Sequence, residues 1–192
     1  GANISLGSGT DILVLATAGT NTLTLNTDIE TLVAGGANDV ITLSAAVAGR
    51  SFDLGAGVDQ RTLTGASNTV TLANVETITG GTGADTVTVT SNTTAAIINL
   101  GSGADSLTLT ASSGTNTLTV SNAETITTNA ADDTVTLATG LTGAVIDLGG
   151  GTNRLNLATA ANTFTMSNVE SVVGGSSDDK ITFLTQVTAG RY

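Results

Sequence analysis

Polar and apolar residues alternate along most of the chain in short runs, such as Thr22-Leu23-Thr24-Leu25 and Thr86-Val87-Thr88-Val89. A period of two marks a strand that buries one face and turns the other to water. The runs are rich in Thr, Val, Ile and Leu, which suit a pleated surface, and Gly, Asn, Asp and Ser separate them. Strands so short do not make a sandwich. They suit a coil in which each strand stacks on its equivalent one turn away.

The runs recur. LGSGTD at Leu6 returns as LGAGVD at Leu54, LGSGAD at Leu100 and LGGGTN at Leu148. NTLTL at Asn21 returns at Asn68, Asn116 and Asn162, and a strand start carrying Glu30 returns with Glu76, Glu124 and Glu170. A further Gly/Asp loop precedes a strand at Gly35, Gly80, Thr128 and Gly174. A period of about 47 residues with fixed landmarks is the signature of a repeat architecture. The expectation is one all-β domain over 1–192, a parallel β-solenoid with repeats 2–49, 50–95, 96–143 and 144–190. The Gly/Asp loops end at positions 11, 39, 59, 85, 105, 133, 153 and 179. These gaps alternate between short and long, which predicts two turns per repeat and eight turns in all. All eight loops would then lie along one edge of a rod on the order of 40 Å long.

Composition narrows the function. Aromatic residues make up 2% of the chain, so the core is narrow and aliphatic, built from residues such as Leu23, Leu25, Val87 and Val89. Phe52, Phe164, Phe183 and Met166 serve as its larger fillers, and Tyr192 is terminal. The absence of Cys excludes disulfides and thiolate metal sites. The absence of His removes the commonest acid-base residue and metal ligand. With 16 acidic residues against 5 basic ones and a formal charge of −11, the chain is a poor partner for nucleic acid. Its longest uncharged stretch, Thr86 to Ala104, is crowded with Thr, Asn, Ser and Gly, so membrane insertion is not expected. The chain starts at Gly1 without a Met or a signal-like segment and reads as a processed product or a piece of something longer. Arg50, Arg61, Arg154, Lys180 and Arg191 share no landmark, and the paired acids Asp132/Asp133 and Asp178/Asp179 fall on the Gly/Asp loops. No catalytic constellation emerges, and an enzyme is not expected.

The Gly/Asp loops carry the one chemical motif. GGTGADTVT, Gly80 to Thr88, fits the nonapeptide GGxGxDxUx, and GSGADSLT at Gly101 and GSGTDILV at Gly7 fit all but its first glycine. The chain therefore resembles the RTX β-roll family, above all the longer repeats of bacterial adhesins and surface-layer proteins. The resemblance implies an extracellular, secreted, calcium-stabilised solenoid. On it, Ca²⁺ would be held by Asp11, Asp39, Asp59, Asp85, Asp105, Asp133 and Asp179, with the carbonyls of Gly7, Gly9, Gly81, Gly83, Gly101 and Gly103. The chemistry stands by itself: glycine lets a turn aim carbonyls into a concavity, and hard Ca²⁺ takes six to eight oxygens. Carboxylates stacked at ~4.8 Å also repel, by roughly 3.5 kcal/mol per neighbouring pair at an effective dielectric of 20. The plain alternative is that Asp and Gly simply make good turns. The loops depart from the motif: TNAADD lacks Gly, GGGTN has Asn153, and GAGVDQRT puts Arg61 where an apolar residue belongs. Ion-free rungs closed by hydrogen bonds fit those departures.

Three further expectations follow. Asn21, Asn68, Asn116 and Asn162 would stack as an amide ladder. The four Glu would form a solvated face recurring on every second turn, about 9.6 Å apart. Outward Thr pairs (Thr22/Thr24, Thr69/Thr71, Thr117/Thr119 and Thr163/Thr165) would form rows on alternate turns. The function expected is a non-catalytic structural segment of a surface layer, adhesin or self-assembling filament at the cell surface. Its partners would be further copies stacked end to end, or a surface glycan. The alternative is an ice- or surface-binding solenoid that uses its Thr arrays.

Overall fold

The computed structural model describes residues 2–185. The last residues of the fourth repeat, with Arg191 and Tyr192, lie outside them. Within the described residues, twenty short strands follow one another, five to a repeat. The first repeat holds β1 (Ala2–Ile4), β2 (Ile12–Val14), β3 (Thr22–Leu25), β4 (Thr31–Val33) and β5 (Val40–Leu43). The second holds β6 (Ala48–Asp53), β7 (Gln60–Thr62), β8 (Thr69–Ala73), β9 (Thr77–Gly81) and β10 (Thr86–Val89). The third holds β11 (Thr94–Gly101), β12 (Ser106–Leu109), β13 (Thr117–Ser121), β14 (Thr125–Thr127) and β15 (Thr134–Leu137). The fourth holds β16 (Thr142–Asp147), β17 (Arg154–Asn156), β18 (Thr163–Ser167), β19 (Ser171–Val173) and β20 (Lys180–Phe183).

Odd-numbered strands form one ten-stranded parallel sheet and even-numbered strands form the other. The chain is thus an all-β parallel β-solenoid of about nine turns. At ~4.8 Å per turn the stack is about 43 Å long. The inward columns are aliphatic, as the alternation predicts: Leu25, Leu72, Val87, Val89, Leu107 and Ile146 are buried, together with Phe52, Phe164 and Met166.

One expectation fails for a simple topological reason. Five strands make two and a half turns, not two. Each repeat therefore begins on the opposite sheet from the one before: β6 is in the even sheet, β11 in the odd sheet and β16 in the even sheet. The Gly/Asp loops alternate edges accordingly. Those ending at Asp39, Asp59, Asp133 and Asn153 lead into the odd sheet, at β5, β7, β15 and β17. Those ending at Asp11, Asp85, Asp105 and Asp179 lead into the even sheet. The loops do not share one edge.

The long strands β6, β11 and β16 each carry a register shift against the next strand of their sheet, after Ala48, Thr94 and Thr142. The bulged residues are Gly49, Ala95 and Gly143, with φ of 67°, 57° and 75°. Left-handed backbone is what a bulge of this kind demands. Asn74, Asn122 and Asn168, also left-handed, sit at the corner two residues before Glu76, Glu124 and Glu170. Asparagine tolerates that conformation better than most residues, and each Nδ2 here donates to a side-chain oxygen one turn earlier: Asp53 (2.7 Å), Asn99 (2.8 Å) and Asp147 (2.6 Å).

Candidate functional site

Each edge of the solenoid is a column of hydrogen bonds. A side-chain oxygen in one turn accepts the backbone N–H of the residue one turn earlier. Along the edge leading into the odd sheet, Asn21 N–H donates to Asp39 Oδ1 (2.7 Å), Asp39 N–H to Asp59 Oδ1 (2.6 Å) and Asp59 N–H to Glu76 Oε2 (2.7 Å). The pattern restarts with Asn116 N–H on Asp133 (2.8 Å), Asp133 N–H on Asn153 (2.9 Å) and Asn153 N–H on Glu170 (2.6 Å). The other edge repeats it. Asn68 N–H donates to Asp85 (2.8 Å), Asp85 N–H to Asp105 (2.7 Å) and Asp105 N–H to Glu124 (2.7 Å). Asp11 N–H donates to Glu30 (2.8 Å) and Asn162 N–H to Asp179 (3.0 Å). The unit is Asn, Asp, Asp or Asn, then Glu, one residue per turn.

Two expectations change here. The asparagines do not stack on one another: the Nδ2 groups of Asn21, Asn68, Asn116 and Asn162 donate to the Asp Oδ1 of the following turn. The glutamates are not a separate solvated row. They close the same columns as the aspartates, which sequence reasoning missed. The signal was present, because Asn21, Asp39, Asp59 and Glu76 are each about one turn apart in sequence.

The expected metal ligands are distributed as follows. Asp39 is adjacent to Asp59 on one edge, and Asp85 to Asp105 on the other. Asp133 lies next to Asn153, Asp11 next to Glu30, and Asp179 next to Asn162. Gly101 stacks on Gly81 and Gly103 on Gly83, so closely that a Cβ would lie 1.9 Å and 2.5 Å from their respective carbonyl oxygens. Gly7 and Gly9 stand apart, where Gly7 N–H donates to Asp28 (2.8 Å). The Ser5 hydroxyl also binds Asp28, and these bonds hold its carboxyl below the usual value.

Some loop carbonyls take part in the stacking of turns as well. The loop carbonyls of Gly35, Gly81 and Asn129 accept the N–H groups of Ala56, Ser102 and Gly150 in the next turn, at 2.9, 2.9 and 3.2 Å. At Asp85 the second carboxylate oxygen accepts the Gly81 N–H at 3.4 Å. The Oδ2 atoms of Asp39, Asp59, Asp105 and Asp133 are buried without a hydrogen-bond partner, as is that of Asp11. Among the described residues, no three acidic side chains group as a metal cluster. The Asp, Asn and Glu oxygens are placed as acceptors one turn apart. They fit the column of hydrogen bonds. Burial raises the carboxyls of Asp59 and Asp105, and the neighbouring acids (Glu76 and Asp39 for the first, Asp85 and Glu124 for the second) add to the rise.

The outward faces also depart from expectation. On the even sheet, Thr31, Ser51, Thr71, Thr88, Thr108 and Thr127 pair in register through six consecutive strands. Thr69, Thr86, Ser106 and Thr125 run beside them. The rows lie on consecutive turns, because the half-turn offset between repeats brings different landmarks onto the same face.

Compared with known proteins, the chain matches no protein-family model, no curated protein and no solved structure.

Proposed function

We propose that this chain is a non-catalytic structural solenoid: a stiff, acidic strut of a cell-surface layer, adhesin or self-assembling filament. The observation that carries this reading is the pair of edge columns, which tie each turn to the next by bonds additional to the two sheets. Ten column acids and Asn153 accept backbone N–H groups, a structural task that supports this reading. The extracellular address rests on the resemblance of GGTGADTVT and its neighbours to RTX repeats. Among the described residues, the strands at either end of the stack have a neighbour on one side only. Further repeats or a second copy would pair those edges. The absence of Cys makes the test direct. With Ala18→Cys and Ser177→Cys labelled as a spectroscopic ruler, a strut gives one narrow distance, unchanged by temperature until cooperative melting. A broad or temperature-dependent distribution removes the reading.

The Thr plateau favours a second reading, a surface-binding face. Thr69, Thr71, Thr86, Thr88, Ser106, Thr108, Thr125 and Thr127 form an uncharged grid with spacings of ~4.8 Å across strands and ~6.8 Å along them. Such a grid of hydroxyls suits an ordered lattice of water. Thermal hysteresis of the purified chain, abolished by Thr88→Lys with Thr108→Lys, supports it; no hysteresis in the parent chain ends it.

A further inference from the structure

The third position of each column unit is filled by Asp11, Asp59, Asp105 and Asn153, which align in the repeat and each donate an N–H to the following Glu. Asn153 performs the whole task of that position. Its Oδ1 accepts the Asp133 N–H at 2.9 Å, and its own N–H reaches Glu170 at 2.6 Å. Its Nδ2 then donates to the carbonyls of Gly150 (3.2 Å) and Asn168 (3.1 Å). At Asp11, Asp59 and Asp105 the atom in place of that Nδ2 is Oδ2, buried and without a donor, as it also is at the second-position Asp39 and Asp133. The repeat aligns the carbonyls of Ala56 and Asn74 with the two acceptors at 59, and those of Ser102 and Asn122 at 105. By that alignment, an amide at 59 or 105 would have two carbonyl acceptors of the kind Asn153 uses. The column neighbours add no compensating charge: Asp39 and Glu76 flank Asp59, while Asp85 and Glu124 flank Asp105.

We propose that the edge columns are built for a neutral amide at this third position and close without a cation, so that asparagine is the fitting residue at 59 and 105. An amide keeps the Oδ1 acceptor and supplies the missing donor, where an unpaired buried carboxylate carries a desolvation cost. The inference is independent of the strut reading, which holds whether or not an ion binds.

The test is thermal melting of the whole chain, followed by circular dichroism, in chelator and in millimolar calcium. In chelator, Asp59→Asn and Asp105→Asn each raise the melting temperature, on the order of 2–4 °C for each kcal/mol gained in a chain of this size. The reciprocal Asn153→Asp lowers it, and the parent chain melts alike with and without calcium. Asn variants that melt at or below the parent in chelator overturn the proposal. So does a calcium-induced rise in the parent that Asp59→Asn or Asp105→Asn abolishes. Asn153→Asp keeps the test decisive if an Asn variant does not fold.

Discussion

The guanidinium of Arg61 lies 3.9 Å from the centre of the Phe52 ring, with both side chains closed off from water in the solenoid core. The aligned pairs elsewhere are Ile98 with Leu107 and Ile146 with Leu155, all buried and aliphatic. None of the three guanidinium nitrogens has a hydrogen-bond partner. Desolvation pulls this group down to about 9, which leaves it charged at neutral pH.

A desolvated cation–π contact contributes about 2 kcal/mol, while moving a charge out of water costs several. Desolvation wins. Arg61→Leu is therefore expected to stabilise the chain, on the order of 1–4 kcal/mol by urea denaturation. Phe52→Leu, which strips the ring and leaves the cation, is expected to destabilise it. A less stable Arg61→Leu would mean that the ring fully compensates the charge.

The acidic columns give a pH dependence whose sign follows from burial. Asp59 and Asp105 are raised above 3.8, so the folded state binds their protons more tightly than the unfolded chain does. Their stabilising contribution is present below the raised folded values and is lost as pH rises through them. In chelator, the urea midpoint should rise as pH is brought from 7 towards 4. Asp28, lowered by its bond to Ser5, works in the opposite sense only at and below 3.8. The double variant Asp59→Asn with Asp105→Asn should flatten the profile between those limits; an unchanged slope would place its origin elsewhere.

Alternation alone made the fold legible. Thr22-Leu23-Thr24-Leu25 and its equivalents say which residues face inward, and Leu23, Leu25, Val87 and Val89 are all buried. The side on which each repeat lies was not legible in the same way. It depends on whether a repeat holds an even or an odd number of strands, and the strand after Val47 is hidden. AGRSFD, TAAIINLG and TGAVID carry a bulge, and their alternation shifts phase in the middle. Without that fifth strand, the loops fall on one edge and the Thr rows on alternate turns. The acids of GxGxD were legible as a special column, whereas the backbone N–H groups they accept were not. A carboxylate that accepts a backbone N–H and one that holds an ion occupy the same place in the motif, and only Asn153 hints at the difference.

The column glutamates can be tested singly. Glu124 Oε2 accepts the N–H of Asp105, itself buried. Glu124→Ala leaves that N–H without its acceptor, and the expected loss is about 1–3 kcal/mol. Glu124→Gln keeps an oxygen in place and should lose less. Hydrogen exchange at the Asp105 amide reports the bond itself: Ala should speed it sharply and Gln only slightly. Equal exchange in both variants would mean that the bond does not protect this rung.

Two glycines with left-handed backbone should respond very differently to a methyl group. Gly143, at φ 75°, has nothing within 4 Å of an added Cβ, and the aligned position holds Ala95 at φ 57°. Gly143→Ala therefore meets only the backbone penalty, roughly 1–2 kcal/mol. At Gly55, with φ 81°, the added Cβ would lie 1.9 Å from the Gly35 carbonyl oxygen in the turn before. That oxygen accepts the Ala56 N–H at 2.9 Å, so the turns cannot separate without breaking a rung. Gly55→Ala should thus cost clearly more than Gly143→Ala in urea denaturation. It should also speed hydrogen exchange at Ala56 and Asp39, one turn apart on the same edge. Equal losses for the two variants would show that these loops stack more loosely than the Gly35–Gly55 approach requires.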